Sequence, residues 1–339
     1  MSTSAAQQPS PQLFFTTMNA HQRTEALKAG IELEVFTAIA EGYSTAAEIA
    51  TRCQTSEKGM RILCDFLTIM EFLTKKDDRY SLTLDSSVFL DKRSPAYLGS
   101  ATVFMCSPML TEGSKHIADA VRKGGTVMQD DGTVGPDHPV WVKFAEGMAP
   151  LMMMPAQLIV KLVDPNADQK LKVLDIAAGH GLFGIAFASN NKQAEITALD
   201  WKAVLEVAKE NAQKAGVSDR YHTLPGSAFD VDFGSGYDLV LITNFLHHFD
   251  PPTCETLLRK VRAALADGGR AVTLEFVPNE DRVTPPDTAA FSMMMLTSTP
   301  SGDAYTFSEL ERMFANTGFS RSTMHALPPT IQQVVISEK

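Results

Sequence analysis

Residues 172–188 read KVLDIAAGHGLFGIAFA, and this stretch restricts the fold of the chain most strongly. An apolar run, Val173 to Ile176, meets Gly179, Gly181 and Gly184 in the spacing G-x-G-x-x-G, and a second apolar run follows. Strand, tight glycine turn and helix N-terminus in that order make one unit of an α/β sheet. The chain then continues in kind: strand AEITALD, helix AVLEVAKENAQKAG closed by Gly216, strand RYHTLPG, strand YDLVLITNFL, helix CETLLRKVRAAL ahead of an Asp267-Gly268-Gly269 turn, and strand GRAVTLEFV. Such alternation predicts a mostly parallel sheet covered on both faces, with any ligand at the carboxyl ends of the strands. A last helix, TFSELERMFANTGFS, ends at Gly318, and STMHAL and QQVVISE flank a Pro-Pro turn, which predicts a terminal hairpin.

The 339 residues are enough for two domains. Ahead of the α/β region, residues 14–100 carry a helical pattern with short breaks. In TEALKAGIELEVFTAIAEG, Leu27, Ile31, Val35 and Ile39 fall at helix spacing up to Gly42, which predicts one continuous helix. STAAEIATRCQTSEKGMRILCDFLTIMEFL reads as a short helix, a turn near Gln54 to Ser56 and a longer helix, and LTKKDDRYSLTL as two short strands about a polar turn. Together these resemble a winged helix. We divide the chain into a tail (1–13), this winged-helix domain (14–100), a methionine-rich helical connector (101–165) and the α/β domain (166–339).

Composition narrows the function. A net charge of −10 opposes the phosphate contacts on which nucleic-acid binding rests, and the second helix of the winged element, with Leu63, Phe66, Leu67 and Met70, is apolar rather than basic. Its apolar excess suits dimerisation better. Cys53, Cys64, Cys106 and Cys254 are scattered, without metal-ligand or disulfide spacing, and read as reduced, mostly buried thiols. The beginning MSTSAAQQPSPQ lacks a charged and apolar signal pattern, and no apolar run is long enough to span a bilayer, so a cytoplasmic protein acting on a small molecule is expected. No metal is expected, because adjacent His247 and His248 have no Asp, Glu or Cys at ligand spacing.

Glycine loops of this kind serve both dinucleotides and S-adenosylmethionine. An acid four residues before Gly179, Asp175, would repel a pyrophosphate and suits the ammonium and sulfonium of S-adenosylmethionine. Asp200, which ends the second strand of the α/β region, can take ribose hydroxyls of either ligand.

With GSAFD, YDLVLITNFLHHF and TLEFVPN added to these elements, the chain from about residue 14 to its end resembles the dimeric S-adenosylmethionine-dependent O-methyltransferases, such as the caffeic acid and acetylserotonin enzymes and many bacterial members. The resemblance implies an α/β, Rossmann-like class I methyltransferase domain behind a mostly helical winged-helix dimerisation domain, S-adenosyl-L-methionine as cofactor, a homodimer and a small aromatic or polyketide-like hydroxyl as methyl acceptor. The family's Leu-His-Asp-Trp motif falls on Leu246, His247, His248 and Phe249, so His247 matches the general base and His248 stands where the family has an acid. A histidine at a strand's carboxyl end, with an ordinary pKa near ~6.5, can accept a proton at neutral pH. Glu275 matches one acid that orients the base; Ala304 occupies the position of the other and Asp303 lies one residue away, so either Asp303 substitutes or the base works with Glu275 alone.

Other matches are to the cofactor and acceptor sites. Gly179, Gly181, Asp200 and Trp201 belong to the cofactor side with Asp175, as do Asn244 and Gly226, Ser227, Ala228 and Phe229, the last four matching a Gly-Asp-Met-Phe stretch. Thr243 replaces a lysine of plant members and Ala177 a loop glycine, which points to the bacterial branch. Met148, in FAEGM, matches a methionine that sandwiches an aromatic substrate, and Phe144, Phe291, Met294 and Met295 would extend that wall, with His248 beside it. Readings kept beside this one are a C- or N-methyltransferase of the same fold, a dinucleotide-binding oxidoreductase and a ligand-sensing winged-helix regulator.

Overall fold

The computed structural model describes residues 9–339 apart from 130, 136 and 165. The chain divides into two compact units, one ending at Ser100 and the other running Ala101–Lys339.

In the first unit, helices Gln12–Met18, Ala20–Glu32, Val35–Ala40, Ala46–Arg52 and Glu57–Ile69 precede an antiparallel hairpin of β1 (Leu73–Lys76) and β2 (Arg79–Leu82). Val35, Phe36, Ile49, Met60, Leu67 and Tyr80 fill its core. The Ala46–Arg52 helix starts where Thr45 and Glu48 close a capping box, each side chain accepting the other's backbone N–H. One expectation fails: the helix predicted to run through Leu27 and Ile39 is two helices, broken at Leu33 and Glu34. Glu34 takes a left-handed φ of 57°, and its carboxylate meets Lys92 at 2.8 Å and Arg52 at 3.2 Å. Apolar spacing carries through the break because both helices bury their faces in one core, so periodicity alone did not reveal it.

The second unit holds a seven-stranded sheet. Its strands are β3 (Leu171–Ile176), β4 (Ala194–Asp200), β5 (Tyr221–Pro225), β6 (Tyr237–Thr243), β7 (Leu265–Glu275), β8 (Arg321–Ala326) and β9 (Gln333–Glu338). The order is β5-β4-β3-β6-β7-β9-β8, parallel from β5 to β7, with β9 antiparallel to β7 and β8 to β9. This is the mostly parallel sheet and terminal hairpin that the sequence predicts. Helices Leu182–Asn190, Lys202–Lys214 and Val140–Val163 cover one face around Phe187, Ile196, Leu205 and Val160; Pro251–Ala264 and Phe307–Asn316 cover the other around Ile176, Leu258 and Phe314. The Asp267-Gly268-Gly269 segment, expected to be a turn, lies inside β7: Leu265 already pairs with Tyr237, and the register shifts before Arg270 meets Leu239. Gly268, at a φ of 76°, therefore forms a bulge.

Strand order sets the site. Chain order reverses at β3, between β4 and β6, so a crevice opens above the carboxyl ends of β3 and β6. The glycine loop leaves β3 there, His247 follows β6, and Glu275 ends the adjacent β7. The third glycine lets the helix after the loop approach the sheet: a Cβ on Gly184 would stand 2.6 Å from Ile196 Cγ2 and 3.0 Å from Asp175 Oδ2. Gly184→Ala should therefore cost about 1–3 kcal/mol of stability through overpacking, measured by denaturant unfolding of the two proteins.

Candidate active site

Glu275, at the carboxyl end of β7, is the anchor of the site. It is 3% exposed, and its Oε1 accepts the backbone N–H groups of Phe245 at 3.0 Å, Leu246 at 2.9 Å and His247 at 3.4 Å. Its Oε2 faces His247 Nδ1 at 2.5 Å. A carboxylate only accepts, so Nδ1 carries the proton and Nε2 keeps its lone pair. Among the described residues no hydrogen bond engages that Nε2. His247 is 4% exposed, with Phe291 edge-on at 4.8 Å and Phe276 stacked behind Phe291 at 4.0 Å.

His248 is buried beside it, the two ring centroids 4.2 Å apart. Its Nδ1 donates to the Phe245 carbonyl at 3.2 Å, and the Trp141 ring meets it edge-on at 5.2 Å. Burial, with His247 alongside, holds its pKa well below 6.5, so the ring is neutral. Gly302 presses against the same turn: a Cβ there would lie 2.2 Å from the His247 carbonyl oxygen.

The second orienting contact goes elsewhere. Asp303 Oδ2 pairs with Arg282 Nη1 at 3.1 Å on the surface, while Ala304 is fully buried. Asp303 makes no hydrogen bond to His247 among those described; the carboxylate that meets the His247 ring is that of Glu275.

On the glycine side, Asp200 Oδ2 accepts from Gly179 N at 2.8 Å and Oδ1 from Trp201 N at 2.7 Å. Burial raises its pKa to about 6, opposed by those two N–H groups. Asp175 was expected to offer its charge to a cationic ligand; instead it is fully buried beneath the loop, its Oδ2 accepting from Gly184 N at 3.0 Å and its Oδ1 sealed without a partner. Burial pushes it to about 7. Its work is to hold the loop against the sheet.

Gly179 is the open point of the loop, since the nearest atoms a Cβ there would meet are those of the Phe144 ring at 3.5 Å and the Ala177 carbonyl at 3.9 Å, ordinary contact distances. His180, between the glycines, stacks on Phe144 at 6.1 Å and accepts from Leu182 N through Nδ1. Gly226 has a φ of 139° that favours glycine, and Ser227 Oγ accepts from Phe229 N, turning Phe229 onto Phe249 and Phe245 beside buried Ala228. Asn244, in a left-handed turn after β6, is tied through Oδ1 to Gln332 Nε2 and lies with Nδ2 3.7 Å from Met152 Sδ. These residues fit S-adenosylmethionine: the Asp200 carboxylate has lone pairs to spare for ribose hydroxyls, and the open glycine admits backbone approach.

On the acceptor side, Phe144 and Met148 pack with Phe104 and Trp141. Met295 is buried in the fold, and Met294 lines a separate cavity of about 210 Å³ with Met105, Leu110, Ile117 and Met293. Of Phe291, Met294 and Met295, Phe291 is the one whose ring meets His247. Trp141, Phe276, Gly302 and Gln332 escaped sequence reasoning. His180 alone had a local signal, standing inside the glycine motif.

A sequence model of the O-methyltransferase domain matches residues 115–320, and one of the O-methyltransferase dimerisation domain matches residues 15–92. A crystal structure of a Nostoc punctiforme protein assigned as an O-methyltransferase is similar over 98% of this chain and 100% of its own, with 57% identity and a TM-score of 0.95. The 3-hydroxy-5-methyl-1-naphthoate 3-O-methyltransferase of Streptomyces sahachiroi is 27% identical over 324 residues, 94% of this chain and 92% of that enzyme. Human N-acetylserotonin methyltransferase in complex with SAM shares the fold at a TM-score of 0.85 and 21% identity, over 99% of both chains.

The Glu275–His247 contact makes the ring's protonation state testable. In Glu275→Gln the amide oxygen can keep the backbone N–H bonds, but the NH2 then faces Nδ1 and drives the proton to Nε2. Nitrogen-15 NMR of labelled histidine should show His247 protonated at Nδ1 in the wild type and at Nε2 in the variant.

Proposed function

Since the chain belongs to the O-methyltransferase family, we propose that it methylates a hydroxyl of a small aromatic or polyketide-like acceptor, with His247 as the general base. The observation that carries this reading is the Glu275–His247 pair, which leaves a bare Nε2 in an aromatic-walled site at the carboxyl ends of the strands. S-adenosylmethionine, the cofactor, supplies an electrophilic methyl group on its sulfonium.

Gly179, Asp200 and the Gly226–Phe229 stretch are the residues that would hold the cofactor. Asp200, whose two oxygens accept from the Gly179 and Trp201 N–H groups, would bind ribose hydroxyls with its remaining lone pairs. His247 Nε2 takes the proton of the acceptor hydroxyl; with S-adenosylmethionine bound, the methyl group would pass to that oxygen as the sulfonium C–S bond breaks and S-adenosylhomocysteine leaves. Glu275 keeps the imidazole in the reactive tautomer and offsets the positive charge that the ring gains, as a buried carboxylate does behind any histidine base. Phe291, Phe276 and Trp141 exclude water and offer flat faces to an aromatic ring. The naphthoate O-methyltransferase relative acts, by its name, on a hydroxylated bicyclic arene, which supports an acceptor of that kind. The matched dimerisation domain, with Leu13, Phe14, Phe15 and Met18 exposed on one short helix, supports a homodimer. Among the described residues no helix is long and apolar enough to cross a membrane.

Two measurements test this. His247→Ala should lower turnover of a phenolic acceptor at least about a hundredfold, the usual worth of a general base, while calorimetry finds S-adenosylhomocysteine affinity unchanged; retained turnover would remove the base. The second is the pH dependence of cofactor binding. Asp200 accepts ribose hydroxyls only as a carboxylate, and its pKa is raised to about 6. Affinity for S-adenosylhomocysteine should hold steady above pH 7 and fall as pH drops through about 6, and Asp200→Asn should bind more weakly and lose that decline.

A further inference from the structure

We infer that Lys260 is a positioning residue for the cofactor: from the helix Pro251–Ala264 its ammonium fixes the Gly226–Phe229 stretch in the shape that meets S-adenosylmethionine. The inference rests on the reading that this stretch holds the cofactor, and it names the group that shapes it.

The stretch runs into a lone turn, in which Asp230 N and Val231 N both donate to the Ser227 carbonyl at 3.0 Å. A turn that goes no further leaves carbonyls without the N–H groups that a continuing helix would supply. Here the Ala228, Phe229 and Val231 carbonyls all accept from one donor, Lys260 Nζ, at 2.8, 2.7 and 3.1 Å. An ammonium has three N–H groups, so Lys260 is spent on this turn. Hydrogen bonds from an ionised donor are about twice as strong as neutral ones, which makes this the firmest tie the turn has. Nζ also lies 4.5 Å from the centre of the Phe233 ring, and Asp230 and Asp232 favour its charge against partial burial. The helix that carries Lys260 buries Leu257, Leu258 and Val261, so the ammonium is delivered from a fixed base.

The other end of the stretch is tied as well. Gly226 N donates to the Asp200 carbonyl at 3.0 Å, and a Cβ on Gly226 would stand 2.5 Å from Val231 Cγ1. Between the two ties sits Phe229, edge-on to Phe249 at 5.0 Å and tilted against Phe245 at 6.4 Å. Gly226, Ser227, Ala228 and Phe229 carry no charge of their own, so their path along the backbone decides where Ser227 and Phe229 stand. Lys260 holds that path at the carbonyls of Ala228 and Phe229.

The test is calorimetric titration with S-adenosylhomocysteine of the wild type, Lys260→Met, Lys260→Arg, Phe229→Ala and the double variant Phe229→Ala/Lys260→Met, at a temperature where circular dichroism shows each folded. Lys260→Met keeps an aliphatic stem over Phe233 and removes the donors, and its affinity should fall about tenfold. Lys260→Arg, whose guanidinium can meet two of the three carbonyls, should recover part of that loss. In the Phe229→Ala background Lys260→Met should cost about twofold at most, because the lysine acts through the turn that sets Phe229. Wild-type affinity in Lys260→Met would overturn the inference, as would the full loss persisting in the Phe229→Ala background, the mark of a general structural role. Wild-type affinity in Phe229→Ala would remove the stretch from the cofactor site, and the inference with it, whereas a loss in Phe229→Ala with none in Lys260→Met would overturn the inference alone. Neither acceptor nor turnover enters the measurement, so the base assignment stands apart from its outcome.

Discussion

One carboxylate holds the reactive end of this molecule together. Glu275 ends a central strand, and the chain leaving the neighbouring strand turns so that three successive backbone N–H groups point at one of its oxygens. The other oxygen takes the His247 ring. Burying a charge this deeply costs several kcal/mol unless its lone pairs are met, and here four donors meet them. The turn after β6 is therefore shaped by the acid as much as by its own sequence, and the imidazole is oriented by the same contacts that form the turn.

The opposite wall of the crevice follows similar physics with a different outcome. Asp175 and Asp200 both use backbone N–H groups of the glycine loop, at Gly184 and Gly179. Asp175 braces the loop from beneath and is sealed from solvent; Asp200 holds the loop's rim and keeps lone pairs free. Two acids that look alike in the sequence thus divide the labour, and burial decides which of them can meet a ligand.

Much of this was legible in the sequence because it is local. The glycine spacing, strand and helix alternation, the Pro-Pro hairpin and the His247 position all depend on residues within a few places of one another. What was not legible depends on contacts made across the chain. Glu34 breaks a helix while holding Lys92 and Arg52, 58 and 18 residues away. Gln332 reaches Asn244 across 88 residues, and Gly302 presses on the His247 backbone from a separate loop. The Gly268 and Gly269 pair misled for a related reason: a glycine with positive φ serves a turn and a strand bulge equally, and only the pairing of Leu265 with Tyr237 distinguishes them.

The fate of Asp303 shows how a site can lose a contact without losing its geometry. An acid one residue away from the place of a missing partner invites the reading that it substitutes. Yet Ala304 is buried in the fold, while Asp303 pairs with Arg282 at the surface. The His247 ring is held because Glu275 grips both the ring and the turn that carries it. Phe291 meets His247 edge-on and Trp141 meets His248 edge-on, so the walls beside the two imidazoles are aromatic.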